Sequence, residues 1–109
     1  MTLKDEIREK IESTLQANRV VLFMKGTPQA PQCGFSSKTV GMLDSVVPDY
    51  KSVNVLDDEE IREGIKLYGD WPTIPQLYVK KEFIGGCDII KEMFEKGDLK
   101  KLFEDKKII

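Results

Sequence analysis

Histidine is absent from this 109-residue chain, and cysteine is nearly so. Without imidazole, Ser-His-Asp and Cys-His catalysis, Cys2His2 zinc sites and histidine-ligated haem are excluded. Any proton transfer falls to carboxylates, lysine, tyrosine or thiol. The two cysteines, Cys33 and Cys87, are too few for a disulfide framework, and too few for one chain to give a metal four thiolates. Long apolar runs are missing as well. The longest, Val20-Val21-Leu22-Phe23-Met24, falls far short of the roughly 20 residues needed to span a bilayer. Nor is there an excess of one charge: 17 Lys+Arg face 19 Asp+Glu, a net charge of -2 with pI near 5.2, so the clustered positive face of a nucleic-acid binder is not expected. The opening residues Met1-Thr2-Leu3-Lys4-Asp5-Glu6 resemble neither a basic, then apolar, signal peptide nor an Arg-rich transit peptide. These absences predict a soluble protein of a reducing compartment, the cytoplasm by default, with no membrane and no nucleic acid among its partners.

What is present suits one globular domain over residues 1–109. Apolar residues make up 40% and there are eight glycines besides, the balance of a chain that can build a core. Leu3, Ile7, Ile11 and Leu15 recur at four-residue spacing, which predicts an amphipathic helix ending at Asn18-Arg19. Val20 to Met24 reads as a strand buried on both faces. Gly26 to Gln32, with two prolines and a glycine, reads as loop, neither helix nor sheet. A helix is expected over about 34–47, with Val40, Leu43 and Val47 on one side and Pro48 as its stop. Lys51 to Val55 reads as a second strand, and Asp57-Asp58 caps a helix carrying Ile61, Ile65 and Tyr68.

Beyond the Gly69-Asp70 turn, Gln76 to Val79 and Glu82 to Ile84 form a hairpin. Helices follow over 88–96 and around 99–103. The order α-β-α-β-α-β-β-α-α predicts an α/β fold: one mixed four-stranded sheet flanked by helices on both faces, its first two strands parallel through a right-handed crossover. Lys80-Lys81 fits a tight hairpin poorly, since such turns favour Asn-Gly or Gly-Gly. Either the turn is wider or a lysine takes positive φ.

Cys33 follows a strand and a loop and stands immediately before a helix. Free amides and the macrodipole at a helix start stabilise an anion, so a cysteine there has a lowered pKa and is partly thiolate. Lys25, at the end of the first strand, adds positive charge. The plainer reading is a buried, inert cysteine, but Pro31, Gln32 and Gly34 surround Cys33 with loop residues. A two-cysteine redox motif would carry its second thiol at position 36, where this chain has Ser36. A hydroxyl cannot form a disulfide, so exchange at Cys33 requires a thiol from glutathione, a partner or Cys87.

Cys33-Gly34-Phe35-Ser36, preceded by Met24-Lys25-Gly26-Thr27-Pro28 and followed by Trp71-Pro72-Thr73-Ile74-Pro75-Gln76 and Gly85-Gly86-Cys87-Asp88, resembles the monothiol glutaredoxin family. The blocks cover most of the chain at family-like spacing. The resemblance implies a thioredoxin-like fold and a glutathione pocket. In that pocket Lys25 and Arg62 meet the glycyl carboxylate. The backbone of Ile74, before a cis Pro75, pairs with the cysteinyl unit, and Cys87 and Asp88 engage the γ-glutamyl end. Each position also has a plainer reading. Lys25 and Arg62 are then solvated charges, Trp71 a packing residue, Asp88 a helix cap, and Cys87 a small core residue whose backbone matters more than its thiol. Phe35 then anchors its helix, and Met42 and Met93 belong to the core.

Two functions follow. A two-iron two-sulfur cluster needs four ligands. Cys33 from each of two protomers and two glutathiones would complete them, and the resemblance implies that glutathione-bridged homodimer, monomeric without its cluster, handing the cluster to acceptor apoproteins. The alternative is a glutathione-dependent oxidoreductase in which Cys33 attacks glutathione mixed disulfides. In the family, a segment as long as 26–32 accompanies weak activity of that kind.

Overall fold

Thirteen residues, Asp5–Ala17, form α1 in the computed structural model, which describes residues 2–109. Ile7, Ile11 and Leu15 are its buried positions; such side chains contribute about 1.5–3 kcal/mol each when fully removed from water. Asp5 and Glu6 occupy its first turn, where the helix dipole favours anions. β1 (Val20–Met24) is buried along its whole length. β2 (Gly26–Thr27) and β3 (Ala30–Pro31) follow, then α2 (Gly34–Asp44), β4 (Lys51–Asn54) and a short 3-10 turn at Val55–Asp57. α3 (Glu59–Tyr68), β5 (Gln76–Val79), β6 (Glu82–Gly85), α4 (Cys87–Lys96) and α5 (Asp98–Asp105) complete the chain. Among the described residues, no helix is long and apolar enough to cross a membrane.

The four-stranded sheet has the order β4-β1-β5-β6. β1 runs parallel to β4 and antiparallel to β5, and β5 antiparallel to β6. Alternation along β1 divides the core. Val20, Leu22 and Met24 face α2, α4 and α5 with Leu43, Ile90, Leu99 and Phe103. Val21 and Phe23 face α1 and α3 with Ile11, Ile65 and Tyr78. The mixed sheet with helices on both faces is therefore the architecture that the sequence predicts.

Four details differ from the sequence reading. The 26–32 segment is not plain loop: β2 and β3 pair antiparallel as a miniature hairpin, Gly26 opposite Pro31. Gly26 makes it possible, because its φ of +89° and the Ala30 carbonyl oxygen 2.6 Å from a hypothetical Cβ leave no room for a side chain. α2 ends at Asp44, short of Val47; the amides of Val46 and Val47 both donate to Leu43 O, at 3.0 and 2.8 Å, as the chain tightens before Pro48. β4 stops one residue early because the Asn54 side chain accepts from Leu56 N and starts the 3-10 turn. α4 begins at Cys87, not Asp88. At the Lys80-Lys81 turn, both lysines take positive φ, +49° and +72°, which resolves the turn as the tight two-residue form.

Candidate functional site

The carboxyl end of β1 delivers Lys25, and its backbone is held from two directions. Its carbonyl accepts from Gln32 N at 2.9 Å, closing the small hairpin, and its N–H donates to Ser36 Oγ at 3.1 Å. These bonds set Lys25 beside the start of α2. Cys33 is the N-cap residue of that helix, in extended conformation, with its carbonyl accepting from Ser37 N at 2.9 Å. It is partly exposed and unpaired.

The Cys33 thiol lies below the usual thiol range. The backbone amide of Ser36 is the largest cause; the Phe35 amide, the Lys25 charge and the Ser36 hydroxyl act in the same direction, against partial burial. The lowered pKa expected from a helix-start cysteine is thus present, and Lys25 contributes to it. Ser36 is fully buried; its hydroxyl accepts from the Lys25 amide and is the smallest of the influences that lower the Cys33 pKa.

Next to this helix start lies a groove of about 140 Å³, floored by Ile74 and Pro75 and walled by Trp71, Phe35, Cys87 and Asp88. The Ile74–Pro75 bond is cis, as the family resemblance implies. α4 begins at the groove, with Gly86 as its N-cap residue. Gly86 lets the indole approach closely: a Cβ there would stand 3.0 Å from Trp71 Nε1, a tight contact to which the ring would have to yield.

Of the residues singled out in the sequence, Ile74, Cys87 and Asp88 come together in this groove. Lys25, Cys33 and Arg62 do not line it. Arg62 lies on α3, half-buried, with its Nε enclosed and without a partner and its Nη1 3.8 Å from Glu59 Oε2. Cys87 is buried and free.

Trp71 serves both readings, packing against Phe83 at 5.6 Å between centroids while lining the groove. Phe35 does not anchor its helix: it is 58% exposed and stands over the groove. Met42 and Met93 are half-buried at the edge of the core rather than within it. Sequence reasoning missed Asn54 and Gln76. The Asn54 carbonyl oxygen accepts from Gly26 N at 2.9 Å and Leu56 N at 3.0 Å, tying the small hairpin to β4. Gln76 is a fully buried amide opening a strand otherwise made of Leu77, Tyr78 and Val79. The signal for Gln76 was available, as a lone polar residue in an apolar run.

A thioredoxin-like sheet carrying a lowered-pKa thiol at a helix start, beside a groove with a cis-proline floor, is the arrangement of the glutaredoxin class. The glutaredoxin family model matches residues 20–84, and the chain belongs to that family. Within it the likeness is to the monothiol branch. A protein of Lachancea kluyveri named monothiol glutaredoxin-5, mitochondrial, is 54% identical over 106 residues, covering 94% of this chain and 74% of its own. The solution structure of reduced apo GrxS14 from poplar is 43% identical, with a TM-score of 0.82 and 97% of each chain covered. A buckwheat glutaredoxin–glutathione complex, 20% identical and with a TM-score of 0.82 over 95% of this chain and 93% of its own, shares the fold.

Proposed function

We propose that this protein binds glutathione in the groove beside Cys33, that two copies share a two-iron two-sulfur cluster, and that the cluster is passed to acceptor apoproteins. The observation that carries the reading is a single partly exposed thiol of lowered pKa with a buried hydroxyl, Ser36, where a second thiol would stand. No local disulfide can withdraw Cys33 from an external partner. Cys33 is the one partly exposed thiol among the described residues, so a four-ligand cluster held by it draws its other ligands from outside the chain. Two copies and two glutathiones meet that need, and ligands of that kind exchange readily.

Glutathione itself suits the residues present. The partly exposed Arg62 guanidinium and the Lys25 ammonium suit one carboxylate. The amides at the start of α4 fit the other, and the exposed Asp88 carboxylate fits the ammonium. With only two cysteines in the chain, too few for a disulfide framework, we place the protein in the cytoplasm, and cell fractionation tests that assignment.

Anaerobic reconstitution with iron, sulfide and glutathione decides the function. Sulfide-to-iron charge-transfer absorption and a shift from monomer to dimer are expected, both dependent on glutathione. Both are lost in Cys33→Ser and retained in Cys87→Ser. A colourless, monomeric protein that turns over glutathione mixed disulfides briskly would reverse the conclusion.

The lowered Cys33 pKa favours that second activity. The Cys33 thiolate would attack the glutathione sulfur of a mixed disulfide, expelling the substrate's thiolate and forming a Cys33–glutathione disulfide. The thiolate of a second glutathione would then attack the glutathione sulfur of that disulfide, releasing oxidised glutathione and restoring the Cys33 thiolate.

A further inference from the structure

The 71–75 wall of the groove contains no regular secondary structure, and Pro72 and Thr73 are exposed. It is held from beneath by one side chain. Gln76 Nε2 donates to Trp71 O at 3.1 Å and to Thr73 O at 3.2 Å. Its Oε1 accepts from the Tyr78 hydroxyl at 3.0 Å. Gln76 is fully buried and Tyr78 nearly so, so each of these bonds replaces water that cannot enter. Burial also keeps the Tyr78 phenol protonated, and thus a donor.

The network leaves no spare volume. A Cβ at Gly69 would stand 2.5 Å from Tyr78 Oη and 2.8 Å from Gln76 Oε1. Its far end is fixed as well: the Trp71 amide donates to Lys66 O at 3.0 Å, securing the wall to α3. Gln76 itself pairs with Phe23 in the centre of the sheet.

We propose that Gln76, with Tyr78 behind it, is the positioning residue that sets the shape of the glutathione-facing wall, and therefore the affinity of the groove for a γ-glutamyl tripeptide. This rests on the reading of the groove given above. Gln76 acts only through the backbone of Trp71 and Thr73. It makes no contact with the thiol, so its loss acts on binding and leaves the acidity of Cys33 unchanged.

Trp71 is the only tryptophan in the chain and sits at the end of the network, so its fluorescence reports the wall directly. In Gln76→Met, which keeps the length of the side chain and removes its hydrogen bonds, Trp71 emission should shift to the red and become more open to acrylamide. Calorimetric titration with reduced glutathione should show affinity weakened about tenfold, the equivalent of one or two lost hydrogen bonds. The pH dependence of Cys33 alkylation should stay where it is in the wild type, a separation that general damage to the fold would not give.

Tyr78→Phe should act in the same direction and more weakly, and it decides the matter if Gln76→Met fails to fold. Wild-type emission and affinity in the variants would overturn the proposal, as would a displaced alkylation profile. If wild-type protein itself does not bind glutathione, the assignment of the groove falls, and Trp71 emission alone still decides whether Gln76 holds the wall.

Discussion

Ser36→Ala tests how the site divides the work of stabilising its thiolate. The substitution removes the smallest of the influences that lower the Cys33 pKa and leaves the Lys25 N–H, bonded to the hydroxyl at 3.1 Å, without an acceptor. Ser36 is fully buried, so water cannot readily replace the lost partner. An unsatisfied group of this sort costs about 1–3 kcal/mol, while the better helix propensity of alanine recovers less than about 0.7 kcal/mol. A net loss of about 1–2 kcal/mol is expected, and each kcal/mol lowers Tm by roughly 4–8 °C in a chain of this size.

The thiol pKa should rise, yet remain below the ordinary thiol range. The Ser36 and Phe35 amides and the Lys25 charge are all retained, and the Ser36 amide is the largest of the causes. Thermal unfolding and iodoacetamide alkylation across pH measure the two effects separately. A pKa that returned fully to the ordinary thiol value would refute the primacy of the helix-start amides. An unchanged Tm would refute the role given to the buried hydroxyl.

The same thiol couples stability to pH. Its folded-state pKa is lowered, so its contribution is complete above the unfolded thiol pKa and fades as pH falls through the folded value. The denaturation midpoint of wild type, less that of Cys33→Ser, should therefore increase as pH is raised toward 9; a flat or falling difference contradicts the assignment. Gly86→Ala should force the indole of Trp71 away from its present seat, since a Cβ would meet Nε1 at 3.0 Å and Pro75 O at 3.4 Å. Weaker glutathione binding with altered Trp71 emission is expected, and unaltered binding would show that the wall yields without consequence.

The fold was legible in the sequence wherever apolar spacing carried it. Ile7, Ile11 and Leu15 announced α1, and the unbroken run from Val20 to Met24 announced the central strand. Asp58 was readable as a cap, and it accepts from both Glu60 N and Ile61 N. Less visible was structure made by backbone alone. The miniature hairpin at 26–31 depends on one positive φ and a few amide–carbonyl pairs, and the prolines around it speak for loop.

The site divides in the same way. Residues that carry a charge or a sulfur could be singled out: the Lys25 charge helps to lower the Cys33 pKa, and Cys87 and Asp88 line one groove with Ile74. Residues that act by holding others stayed hidden. Asn54 and Gln76 carry no reactive group, and their importance is a matter of which amides and carbonyls the fold brings within 3 Å or so of them.

Both α2 and α4 start at the edge of the groove. Much of the attraction for negative charge there is consequently built into the main chain, where no proton can leave it and no side-chain substitution can delete it. Neutralising Lys25 or Arg62 would dim that field without extinguishing it. Anyone seeking to redirect this cleft toward a neutral or cationic guest would have to reshape its rim, because the polarity beneath it comes with the architecture.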